Sequence, residues 1–123
     1  MAQTILIVDD SSSLRTVVRM ALTRAGYEVI EAEDGLKALA ALDKAAKVHL
    51  IASDVNMPHM DGIAFVTQVK QHARQKFIPV IMLTPEDEDV KKYQGRAAGA
   101  KAWMVEPFNP PQWLDAVSKL ILP

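Results

Sequence analysis

Apolar residues gather along this chain in short runs, and most runs are followed by a stretch where they recur every three or four positions. Thr4-Ile5-Leu6-Ile7-Val8 is apolar and β-branched, which suits a strand covered on both faces. It stops at Asp9-Asp10. Ser11, Ser12 and Ser13 then offer N-caps, and Leu14, Val17, Val18, Ala21, Leu22 and Ala25 fall at helical spacing before the terminator Gly26. Glu28-Val29-Ile30-Glu31 predicts a shorter strand whose polar ends belong at a sheet edge. Asp34-Gly35 turns into a second helix with Leu36, Leu39 and Ala40 on one face.

Leu50-Ile51-Ala52 predicts a third strand, ending at Asp54. Pro58 has no N–H to give a ladder, so the chain leaves the sheet there, and Asp61-Gly62 turns into a third helix carrying Phe65, Val66 and Val69. Pro79-Val80-Ile81-Met82-Leu83-Thr84 is a fourth strand. Pro85 opens a helix in which Glu86, Asp87, Glu88 and Asp89 lead and Lys91, Lys92 and Arg96 trail, the order a helix dipole favours, with Gly99 to close it. Ala102-Trp103-Met104-Val105 is the fifth strand. Asn109 caps a last helix that starts with Pro110-Pro111 and buries Trp113, Leu114, Val117, Leu120 and Ile121. Five strands alternating with five helices predict an α/β fold, a parallel sheet between two helical layers joined by right-handed crossovers.

Composition narrows the partners. The 123 residues fit one domain, 1–123, and half hydrophobic with 24% charged is an ordinary globular balance. A net charge of -1 with no basic cluster argues against nucleic acid, and no apolar run reaches the roughly 20 residues of a membrane span. The strand pattern begins beside Met1, which argues against a signal peptide, and the lack of cysteine removes disulfide and thiolate chemistry and fits the cytoplasm.

Parallel strands all end on one edge of the sheet, so Asp9, Asp10, Asp54, Thr84 and Glu106 should meet there. Carboxylates about 5 Å apart repel by roughly 3 kcal/mol per pair at an effective dielectric of 20. A hard divalent cation offsets that, and all-oxygen ligands suit Mg²⁺. Taken singly, Asp54 could be a metal ligand, a nucleophile or a helix cap, and Asp9 and Asp10 could merely cap the first helix. Thr84 could cap the fourth helix, and Trp103 could simply pack.

Several stretches, in this order and spacing, resemble the receiver domains of bacterial response regulators over essentially the whole chain. They are Val8-Asp9-Asp10-Ser11-Ser12 with Arg15, Gly26-Tyr27, Glu33-Asp34-Gly35, Asp54-Val55-Asn56-Met57-Pro58-His59-Met60-Asp61-Gly62, Leu83-Thr84, Ala98-Gly99-Ala100 and Pro107-Phe108-Asn109-Pro110. The stand-alone CheY-like chemotaxis regulators are the nearest group. The resemblance implies a flavodoxin-like (βα)5 sheet in order 2-1-3-4-5. It implies that Asp54 accepts a phosphoryl group from the phosphohistidine of a sensor kinase, with the protein assisting its own phosphoryl transfer and hydrolysis without being an enzyme. It gives Asp10 as a direct Mg²⁺ ligand, Asp9 as one through water and Asn56 through its backbone carbonyl. Thr84 becomes the switch hydroxyl and Trp103 the aromatic switch. The expected product is a cytoplasmic monomer that binds a downstream protein such as a flagellar motor switch component, through a face around Lys91, Lys92, Trp103 and Trp113.

Two positions depart from that family. Glu106 stands where it carries a lysine just before Pro107-Phe108, and Pro85 follows the switch hydroxyl where a small residue is usual. The charge reversal supports a second reading, a metal-binding interaction module without normal phospho-switching. An enzyme on the same fold fits worse. Two carboxylates after the first strand would repel the phosphate of a flavin, and the chain has no room for a phosphatase cap domain. The same loop is expected to hold a cis Glu106-Pro107 bond.

Overall fold

A computed structural model describes residues 2–84, 98–105 and 109–123. The strands are β1 (Thr4–Val8), β2 (Glu28–Ala32), β3 (Leu50–Asp54), β4 (Val80–Thr84) and β5 (Ala102–Val105). The helices are α1 (Ser12–Arg24), α2 (Gly35–Lys44), α3 (Gly62–Gln71) and α4 (Pro110–Leu120), with a 3-10 turn at Gln75–Phe77. All neighbouring strands are parallel, in the order β2-β1-β3-β4-β5, so the fold is the flavodoxin-like sheet expected. Four α-helices lie among the described residues, and the helix expected after Pro85 falls at 85–97, outside them.

Strand alternation sorts the core into two layers. Leu6, Val8, Ile51, Val80 and Met82 pack with α2 and α3, while Ile5, Ile7, Leu50, Ala52, Ile81 and Leu83 pack with α1 and α4. A wholly apolar strand is thus buried on both sides, as its sequence requires. Strand β2 is an edge strand with both glutamates exposed.

Each of the four described α-helices starts with a side-chain cap. Ser11 Oγ accepts the Leu14 N–H at 3.3 Å, Asp34 Oδ1 that of Lys37 at 2.9 Å, Asp61 Oδ1 that of Ala64 at 2.8 Å and Asn109 Oδ1 that of Gln112 at 3.3 Å. Gly26 closes α1 at φ +95°, a conformation that costs a glycine little.

Some expected helix faces are rotated. Gly35, Ala38 and Leu42 form the buried stripe of α2, leaving Leu36 53% exposed and Ala40 exposed, because Asp34 is the cap and the helix meets β2 from its small residues. Val17 faces solvent because Val18 and Leu22 carry the α1 contact, and Ala25 is an exposed cap. Trp113 is 2% exposed, buried in the layer beside α1, so it cannot belong to a docking face.

Candidate functional site

The carboxyl ends of β1 and β3 lie side by side, since Val8 pairs with Ser53. That register brings Asp9, Asp10 and Asp54 together, with one carboxylate oxygen from each lying within 4.8 Å of the other two. Asp9 is buried, Asp10 exposed and Asp54 half-buried. Asp9 does not cap α1. Its Oδ1 accepts the Ser11 N–H at 2.8 Å, which leaves the Ser11 hydroxyl as the cap.

Arg15, one turn into α1, donates to the Asp9 carbonyl, and its Nε lies 3.3 Å from Glu31 Oε1 on the edge strand. The sequence contains this arginine, but only the fold shows that it braces the acidic loop from behind. At the other acid, Asn56 N–H reaches Asp54 Oδ1 at 3.3 Å, and Ser53 Oγ donates to the Asp54 carbonyl at 3.0 Å. Gly62 closes the loop after β3, its N–H on the Val55 carbonyl at 2.8 Å.

Thr84 ends β4 with no exposed surface. Trp103 sits half-buried on β5, opposite Met82 in the register, so alternation puts Thr84 and Trp103 on the same face of adjacent strands. Trp103 packs against the layer of α2 and α3, and its indole Nε1 is buried without a hydrogen-bond partner among the described residues. The expectations for Pro85, Lys91, Lys92, Arg96, Glu106 and the cis peptide lie outside the described residues.

The Asp54 carboxyl is pushed up to about 7, first by burial and then by the charge of Asp9, with Asp10 adding less. An acid raised in the fold contributes stability that is full below about pH 4 and is lost as pH rises through about 7. Because the carboxyl is partly solvated, screening leaves this effect on the order of 1–2 kcal/mol. Asp54→Asn should therefore raise the metal-free melting temperature at pH 8 by several degrees and change it little at pH 4. Thermal denaturation at both pH values, with a chelator present, tests this; equal shifts at both would contradict it.

The donors fit a small hard cation. One carboxylate oxygen from each of Asp9, Asp10 and Asp54 lies within 4.8 Å of the other two, so these acids could converge on a single ion. All are oxygen, and their mutual repulsion calls for positive charge.

The response regulator receiver domain model matches residues 5–118. The chain belongs to that family. This receiver domain is 40% identical over 107 residues to the chemotaxis protein CheY1 of Helicobacter pylori, covering 86% of each. It superposes on the chemotaxis protein CheY4 of Vibrio cholerae with a TM-score of 0.92 at 45% identity, covering 98% of this chain and 99% of that one. It also matches the alkaline phosphatase synthesis transcriptional regulatory protein PhoP of Bacillus subtilis, 39% identical over 122 residues, but there it spans only 49% of the relative.

Proposed function

We propose that this receiver domain is a phosphoacceptor switch of a two-component system of the chemotaxis type, phosphorylated on Asp54 by a histidine kinase. The observation that carries the reading is the meeting of Asp9, Asp10 and Asp54 at the carboxyl ends of adjacent parallel strands, two of them from the Asp9-Asp10 pair that the family carries. The close likeness to CheY1 and CheY4 over nearly their whole lengths supports chemotaxis.

Asp10, Asp54 and the Asn56 carbonyl would hold Mg²⁺, with Asp9 contributing through water. The ion would neutralise charge on the acceptor and on the incoming phosphoryl group. An Asp54 carboxylate oxygen attacks phosphorus in line with the P–N bond of the phosphohistidine. That bond breaks, its electron pair returns to the imidazole, and an acyl phosphate forms on Asp54. The loop after β3, closed by Gly62, orients the attacking oxygen through the Asn56 N–H, while Arg15 braces the loop that carries Asp9 and Asp10. The Thr84 hydroxyl can donate to a phosphoryl oxygen present only after transfer, which is the differential contact a population shift requires. Trp103, on the same sheet face, is placed to repack with it.

Among the described residues no helix is long and apolar enough to cross a membrane, which is compatible with action in the cytoplasm on a diffusible partner protein. Mass spectrometry after incubation with acetyl phosphate and Mg²⁺ tests the reading. One added phosphoryl group is expected, absent without Mg²⁺ and absent in Asp54→Asn. An unmodified wild-type mass, or equal modification of the variant, would overturn it.

A further inference from the structure

Between Val55 and Gly62 the chain leaves the sheet and returns, and the carbonyl of Asn56 lies in that excursion. Its ends are tied by the Gly62 N–H on the Val55 carbonyl at 2.8 Å. Its middle makes a three-residue turn, in which Met60 N–H donates to the Pro58 carbonyl at 2.7 Å. His59 at the centre has φ +66° and is the one non-glycine with positive φ among the described residues. A turn of this hand is rare and strained, because a Cβ crowds the backbone there. Neither glycine nor asparagine occupies the position, so other contacts must hold it.

Two contacts do. His59 Nδ1 lies 3.2 Å from Asp34 Oδ2, while the imidazole is otherwise largely exposed. Met60 lies against Gly35, where an added Cβ would meet Met60 Cγ at 2.8 Å, so a larger residue there would have to push the Met60 side chain aside. Asp34 is a rigid anchor, 3% exposed, with its Oδ1 capping α2 through the Lys37 N–H at 2.9 Å. That backbone donor, the largest influence, holds its carboxyl below the usual range, so it faces His59 ionised.

We infer that His59 is a positioning residue, pinning the loop of residues 56–61 to the start of α2 so that the Asn56 carbonyl is held ready for the cation. The inference rests on the reading that Asp10, Asp54 and Asn56 hold Mg²⁺. A partner outside the donor set acts on metal affinity through the ligand it orients. It should leave the chemical step alone once the site is filled. His59→Gly removes the pin and also relieves the strain, so this variant should fold. His59→Asn tolerates the left-handed turn and can donate its amide to Asp34.

Calorimetric Mg²⁺ titration of the wild type, His59→Gly, His59→Asn and Asp10→Ala makes the test, alongside acetyl phosphate labelling rates at saturating Mg²⁺. His59→Gly should bind Mg²⁺ roughly tenfold more weakly, with a maximal labelling rate within about twofold of wild type. His59→Asn should recover wild-type affinity, and Asp10→Ala should bind far more weakly than any of them. Wild-type affinity in His59→Gly, with Asp10→Ala impaired, overturns the role of His59 and leaves the metal site standing. His59→Asn as weak as His59→Gly overturns it also. Unchanged affinity in Asp10→Ala overturns the metal reading on which the inference rests.

Discussion

Gly62→Ala is expected to destabilise the fold by roughly 2–4 kcal/mol and to weaken Mg²⁺ binding with it. A Cβ on Gly62 would lie 2.0 Å from the Asp54 carbonyl oxygen and 2.9 Å from the Asp54 carbonyl carbon and the Val55 Cα. All three are backbone atoms, so no side chain can swing aside. Alanine would gain about 1 kcal/mol in helix propensity at an ordinary helical position, which the overlap outweighs. Relief requires α3 to slide from β3 or Asp54 to leave its strand register, and either movement disturbs the acids. Denaturant unfolding gives the stability and a Mg²⁺ titration gives the site. A variant as stable as wild type, with unchanged affinity, would mean that the approach of α3 to Asp54 is not required.

That glycine marks where sequence reading stops. Asp61-Gly62 reads as a turn, whereas the fold needs Gly62 because α3 begins against the carbonyl of the residue it serves. The parallel sheet, the polar-ended edge strand β2 and the convergence of Asp9, Asp10 and Asp54 were legible because each follows from patterns that repeat along the chain, while the strand order came from the resemblance to receiver domains. Contacts between loops were not. Asp34 reads as a turn residue, yet it caps α2 and anchors His59, and nothing local to His59 signals φ +66°. Arg15 belongs to the recognisable motif, but its contact with the Asp9 carbonyl depends on how α1 crosses the sheet. The α2 stripe was misplaced for a related reason. Leu36 is the larger apolar residue, but the close approach of Met60 to Gly35 turns the small face inward.

The proposed switch depends most on a position that the sequence alone supplies. Glu106→Lys should strengthen the link between phosphorylation and the face around Trp103. Phosphorylation replaces the single charge of the Asp54 carboxylate with the nearly two of a phosphoryl group, and the described acids already crowd there within 4.8 Å. A lysine before Pro107 would offer an ammonium to a phosphoryl oxygen that exists in one state only, whereas a glutamate repels it or turns away. A contact made in only one state is what shifts a two-state equilibrium, and coupling of about 1–3 kcal/mol corresponds to roughly 5- to 150-fold. About a tenfold gain in the preference of a binding partner for the phosphorylated form is expected in Glu106→Lys. A larger change in tryptophan emission on labelling with acetyl phosphate should accompany it, arising from Trp103 because Trp113 is buried in the opposite layer. Mg²⁺ affinity of the unphosphorylated variant should fall, since a positive charge replaces a negative one at this position. A large preference already present with Glu106, and unchanged by the substitution, would leave Thr84 as the sole carrier of the switch.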